Sequence, residues 1–255
     1  MFEWLLSPID PARVHDLGFA VSWHARSMVL AWGVLAPLAV IIARFFKITP
    51  KQDWPRQLDN QFWWRCHLIG QSGVVVLSLV GLALIFGLTS RPVSLHGWLG
   101  YGVLIGLIAQ VAIGVFRGDK GGPTAPHADG SLRGHHYDMT RWRRIFEHAH
   151  KALGYAVIAL AMTTILFGLW HSNAPRWMWM SLAIWWPCLV LVFIILQKRG
   201  YAVDTYQAIW GDDPAHPGNQ RTAPGWGVHR PGDTTTQANG EPHVRNDRGN
   251  RVRSP

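Results

Sequence analysis

From Ser27 to Ala43 the chain carries no charged side chain, and the run is flanked by His24 and Arg26 on one side and Arg44 and Lys47 on the other. A helix rises about 1.5 Å per residue, so such a run is long enough to cross a bilayer core of about 30 Å. Similar apolar runs recur along the chain, and the spacing predicts five spanning helices at about 23–46, 63–88, 96–116, 144–171 and 177–198. The expected fold is therefore an all-α membrane protein, a bundle of five transmembrane helices.

Three parts follow. Residues 1–22, with Pro8, Pro11 and Trp4, read as a lead lying at the membrane interface, and Trp23 fits an aromatic belt. Residues 23–198 form the helical domain. Residues 199–255 are rich in Gly, Pro, Asn, Thr and Arg, and are expected to be a disordered tail. The second and third helices are joined by a short segment holding Pro92 and are expected to be antiparallel neighbours.

The formal net charge of +9 could suggest nucleic acid. The basic residues instead sit in short loops beside the apolar runs, so no nucleic-acid partner is expected. Lys47, Lys51, Arg56, Arg65, Lys120, Arg133, Arg141, Arg143, Arg144, Lys198 and Arg199 fall on one side of a five-helix path; Arg13, Arg91 and Arg176 fall on the other. The positive-inside bias then places the N-terminus outside and the tail in the cytoplasm. A bacterial inner membrane is the expected location. Cys66 and Cys188 form no Cys-x-x-Cys pair and no site for covalent haem attachment, and are expected to be packed thiols.

Four histidines stand at or just inside the starts of four helices: His24, His67, His96 and His150. Successive helices alternate in direction. His24 and His96 therefore lie near one rim and His67 and His150 near the other. Ionisable side chains within spanning helices are costly and mark functional sites. Two imidazoles facing across a gap can take both axial positions of a haem iron, and glycines such as Gly33, Gly70, Gly73, Gly81, Gly100, Gly106 and Gly154 leave room between helices. His148 competes with His150, but the two face different sides of a helix; Gly154, one turn beyond His150, favours the latter. His15 and His171 read as interfacial residues, and His127, His135 and His136 belong to a polar loop at about 117–140. Gln71 and Gln110 are candidates for holding the imidazoles. Arg26 is a candidate cation for haem carboxylates at the first rim; Arg65, Arg141, Arg143, Arg144 and Lys151 are candidates at the second. Trp32, Trp98 and Tyr101 could pack on a porphyrin.

The same residues carry a resemblance. His24, Trp32-Gly33, Pro37 and Ala43-Arg44, then Trp63, Trp64, His67 and Gln71, then His96, Gly100 and Gln110, and His150, Gly154 and Tyr155 resemble the cytochrome b561 superfamily over about 23–198. The nearest branch is the one often fused to a DOMON domain in eukaryotes. The resemblance implies two non-covalent haem b groups, His24 with His96 and His67 with His150 as axial ligands, and electron transfer across the membrane. The chain departs from the pattern in showing five helices where six are usual, and in its long Gly-Gly-Pro and His-His-Tyr-Asp-Met-Thr loop. The donor and acceptor, whether ascorbate, a quinol, a ferric species or a redox protein, stay open, as do a homodimer and an enzymatic role as a transmembrane oxidoreductase. Competing readings are a bacterial quinol- or superoxide-linked cytochrome b of four-helix type, a non-redox membrane scaffold, and a metal-ion transporter.

Overall fold

The computed structural model describes residues 2–15, 17–86, 93–117, 140–223 and 225–231. Its elements are a short α1 (Phe2–Leu6), five long helices, α2 (Phe19–Phe45), α3 (Phe62–Ile85), α4 (Leu95–Val115), α5 (Arg141–His171) and α6 (Arg176–Lys198), and a short α7 (Thr205–Trp210). The five long ones are apolar and long enough to cross a membrane. The expected spans are found with ends shifted by a few residues. Local chemistry sets several of those ends: the Ser94 hydroxyl accepts from Gly97 N at the start of α4, and Thr140 accepts from Arg143 N at the start of α5.

Within α2, residues Val29–Leu35 are wound as a π-helix. Pro37 lies just beyond it and has no N–H to offer the carbonyl of Gly33, four residues earlier. That carbonyl accepts the indole N–H of Trp185 on α6 at 2.9 Å. The local rewinding thus ties α6 to the first span.

The bundle is built from two helix pairs. α2 packs along α3, and α4 packs along α5. The pairs meet through α2 and α5, where Ala31, Trp32, Ala36, Val157, Ala161 and Ile165 form the buried core with Val74 and Val103. α3 and α4 do not pack along one another. The expectation that they are direct neighbours is corrected: a short connection limits the distance between their ends, and it does not force their length into contact.

At the N-terminal end of the bundle, the lead docks on the turn between α5 and α6. Asn173 Nδ2 donates to Asp10 O (3.0 Å) and Arg13 O (2.7 Å), its Oδ1 accepts from Asp10 N (3.0 Å), and Arg13 donates to His171 O (2.9 Å). α2 already begins at Phe19, so the lead is shorter than expected.

At the C-terminal end, residues 199–223 and 225–231 are folded, which corrects the expected disorder for this part of the tail. Asp204 and Arg230 form a buried pair at 2.8 Å. Arg230 also donates to the carbonyls of Gly218 (2.8 Å), Asn219 (3.1 Å) and Arg221. The segment is tied to the bundle by Lys47 Nζ to Val203 O (2.9 Å), Arg44 to Gln197 and Trp226 O, and Asp59 N to Ala208 O (3.0 Å). Polar pairing and the fully buried Tyr206 hold this cap, whereas the compositional argument weighed apolar area alone. Residues 232–255 lie outside the described part, as do His127, His135, His136, Arg91, Lys120 and Arg133.

Candidate functional site

His24, five residues into α2, faces His96, the second residue of α4. Their ring centroids are 6.2 Å apart and the rings stand at 88°. At the other end His67 on α3 faces His150 on α5, again at 6.2 Å, with an interplanar angle of 78°. The structure therefore brings together the four histidines singled out in the sequence, two by two. His148 is exposed and its Nδ1 is bonded to Arg144 O at 2.8 Å, on a different side of α5 from His150.

The main chain fixes the depth of each pair. His24 Nδ1 lies 2.8 Å from Gly81 O, His96 Nδ1 3.0 Å from Thr164 O, and His67 Nδ1 3.3 Å from Ala39 O. A carbonyl can only accept, so these rings carry their proton on Nδ1 and leave Nε2 with a free lone pair. Fourteen residues separate His67 from Gly81 on α3, and fourteen separate His150 from Thr164 on α5. At about 1.5 Å per residue the two pairs stand about 21 Å apart along the bundle. Trp32 lies between these levels, with its indole N–H held by Ser78 Oγ at 3.0 Å.

Close approach at the first pair requires glycine. A Cβ on Gly81 would stand 2.8 Å from Met28 Cε and 3.5 Å from His24 Nδ1, and a Cβ on Gly168 would stand 2.9 Å from His96 Cε1. Gly81 was among the glycines expected to give room; Gly168 was not. The acceptor carbonyls of Ala39, Gly81 and Thr164 were likewise missed, since main-chain acceptors have no signal of their own in side-chain identity.

The other candidates are distributed as follows. Gln110 Nε2 donates to His150 O at 2.9 Å, and its Oε1 is buried with no partner among the described residues. Gln71 is half-buried one turn beyond His67. Arg26 is exposed, donates to Ser22 Oγ (2.6 Å) and lies over the Trp23 ring. Arg65, Arg141 and Arg144 are exposed, as are Trp98 and Tyr101, whose rings pair with each other. Phe146, not singled out in the sequence, stacks on the His150 ring at 5.1 Å and 20°. Glu147 was also missed. It is buried and pairs with Arg143 at 3.1 Å and Lys151 at 2.6 Å, one turn on either side. Cys188 is exposed on α6, not packed as expected.

Outside the spans, Lys47 is buried, and burial, reinforced by nearby Lys151, lowers its pKa from 10.5 to about 8. Burial also lowers that of Arg117, whose guanidinium lies 3.9 Å above the Trp64 ring.

Two imidazoles on one metal, each bonded at about 2 Å with the ring centroid about 1.1 Å behind its nitrogen, set their centroids about 6 Å apart. Both pairs have that spacing. Each pair supplies only two ligands, and among the described residues no group of three or more His, Cys, Asp or Glu could hold a metal. A metal held here must bring its remaining ligands with it, as iron does in a porphyrin, and the donor set fits that group.

Residues 23–117 match the model of the family described as eukaryotic cytochrome b561. That stretch includes His24, His67 and His96, while His150 lies beyond it. A Xenopus laevis protein named "Putative ferric-chelate reductase 1" is 30% identical over 163 residues, which cover 59% of this chain and 26% of the relative. The chain thus spans about a quarter of the length of that relative. No solved structure matches. These matches, to a eukaryotic family description and a frog protein, lend no support to the expected bacterial location.

Proposed function

We propose that the chain is a member of the cytochrome b561 family, which residues 23–117 resemble, and that its two facing histidine pairs each hold one haem b, His24 with His96 at one end of the bundle and His67 with His150 at the other. Membership of that family would imply electron transfer across the membrane, and five candidate spans support an integral membrane protein. A haem held by two imidazoles would supply one-electron chemistry at each site, with His24, His96, His67 and His150 as the residues that would hold it.

The observation that carries the reading is the repeated geometry: two pairs, each at 6.2 Å and near perpendicular, about 21 Å apart. The residues divide the work. Gly81, Thr164 and Ala39 carbonyls hold three rings with Nε2 turned free. Gln110 anchors the main chain at His150. Gln71, one turn beyond His67, offers an amide; Arg26, two residues beyond His24, is turned to Ser22 and Trp23 and would have to leave them to meet haem carboxylates. Loop charge supports a topology with the N-terminus outside and the C-terminal cap in the cytoplasm. The partners are small redox donors and acceptors, or redox proteins, on opposite faces; the frog relative's name supports a ferric species as one acceptor.

The test is a reduced-minus-oxidised absorption spectrum of the purified full chain with a haem count. A b-type band with two haems per chain is expected. Absence of the band, or one haem per chain, overturns the proposal.

A further inference from the structure

Near its end the cap forms a loop, Gly225-Trp226-Gly227, that carries one side chain. Both glycines have positive φ, +117° and +63°, a conformation that suits glycine and strains other residues. The loop lays its backbone against three of the long helices. Arg44 Nη2, in the last turn of α2, donates to Trp226 O at 2.8 Å, and Gln197 Nε2, in the last turn of α6, donates to Gly227 O at 2.6 Å. A Cβ on Gly225 would stand 3.4 Å from Lys151 Nζ on α5. With its main chain turned to the bundle, the loop leaves the indole outside, and Trp226 is 90% exposed.

These contacts fix the depth of the indole. α2 ends at Phe45 and α6 at Lys198, and both are candidate spans. A loop bonded to Arg44 and Gln197 is therefore level with the place where two spans leave the bilayer. Just before that level Ile194 and Ile195 are exposed on α6, as residues that face lipid are. Just beyond it Lys198 and Arg199 are exposed. An indole has an apolar body and one N–H to donate, so it is best placed at such a boundary, between acyl chains and hydrated headgroups. Basic side chains on the wet side of the same boundary meet the phosphates of lipids.

We propose that Trp226 anchors the cap to the membrane: its ring sits in the headgroup region of the leaflet at the C-terminal end of the bundle, and lipid is what covers it. Headgroup phosphates are the partners of Lys198 and Arg199, and the acyl chains begin where Ile194 and Ile195 are exposed. The cap is then a membrane-bound element. Gly225 lies against Lys151, the residue after His150, so the anchor also ties the leaflet surface to that end of α5. Nothing in this depends on what the histidine pairs hold.

The experiment places the full chain in phosphatidylcholine nanodiscs that include a phosphatidylcholine with a photoreactive diazirine high on its acyl chain. After illumination and trypsin digestion, mass spectrometry reads the peptide that follows Arg221, in which Trp226 is the one tryptophan. A lipid adduct on Trp226 is expected. A parallel sample exposed to hydroxyl radicals should show Trp226 oxidised severalfold more slowly than in the denatured chain. Trp226→Ser removes the ring, keeps the carbonyl that Arg44 holds and disturbs no buried packing; it should cut the adduct yield on this peptide severalfold. A parent chain with no adduct and with Trp226 oxidised as fast as in the denatured chain has its indole in water, open to a protein partner, and overturns the proposal. An adduct yield unchanged in Trp226→Ser also overturns it, because the ring is then not what meets the lipid.

Discussion

Gly168 and His96 touch: a methyl group on the glycine would stand 2.9 Å from His96 Cε1. Gly168→Ala must therefore displace that ring. The expected outcome is loss or spectral disturbance of one haem, the one at His24/His96, with the other unchanged. Equal disturbance of both haems would contradict it. Lys47 gives a pH dependence. Burial holds its folded pKa at about 8 against 10.5 when exposed, so between these values the unfolded chain binds more protons. Stability should rise with pH across that window and be lowest, as far as Lys47 contributes, below pH 8. Thermal unfolding in detergent from pH 7 to 10.5 should show a rise that is smaller in Lys47→Met. At this scale the sequence was legible where chemistry sits in side chains. The four histidines stood out, and His150 was separable from His148 by helix geometry. Their acceptors on Ala39, Gly81 and Thr164 were not legible, because any residue offers a carbonyl. Arg26 was read as facing the first site, yet its guanidinium is turned to Ser22 and Trp23. Nothing in a helix-flanking position says which way a long side chain folds.

Helices α2 to α6 were readable because apolar length is a strong constraint in a bilayer. What the runs could not supply was the pairing of helices. α3 and α4 are sequence neighbours across a short link, yet each packs on a different partner. That separation lets His24 reach toward His96 and His67 toward His150. The π segment of α2 was equally hidden, although Pro37 was in view. Its link to α6 can be tested. Trp185→Phe removes the bond to Gly33 O and should cost about 1 kcal/mol, the usual net worth of such a bond. In a Pro37→Ala background, position 37 regains an N–H for the Gly33 carbonyl, and the cost should shrink. Denaturation of the four proteins in one detergent measures the coupling; identical costs in both backgrounds would refute it.

The described residues form a bundle covered at both ends by its own chain: the lead over the α5–α6 turn, and residues 199–223 and 225–231 over the ends of α2 and α6. The cap escaped sequence reasoning because its composition suits a disordered segment, while its order depends on a few specific contacts. Asp204 is fully buried and relies on Arg230. Arg230→Met leaves that carboxylate unpaired, a change that costs about 3–5 kcal/mol where the pair is buried. The cap should open to protease while the five spans stay folded; a cap as resistant as before would contradict this account of it. The central claim is that alternating helices bring four imidazoles together as two separate iron sites. Four single variants test it most directly, with each remaining haem identified by its absorption and low-spin signals. His24→Ala and His96→Ala should remove one and the same haem, and His67→Ala and His150→Ala the other. If His24→Ala and His96→Ala remove different haems, the pairing is wrong and the account fails.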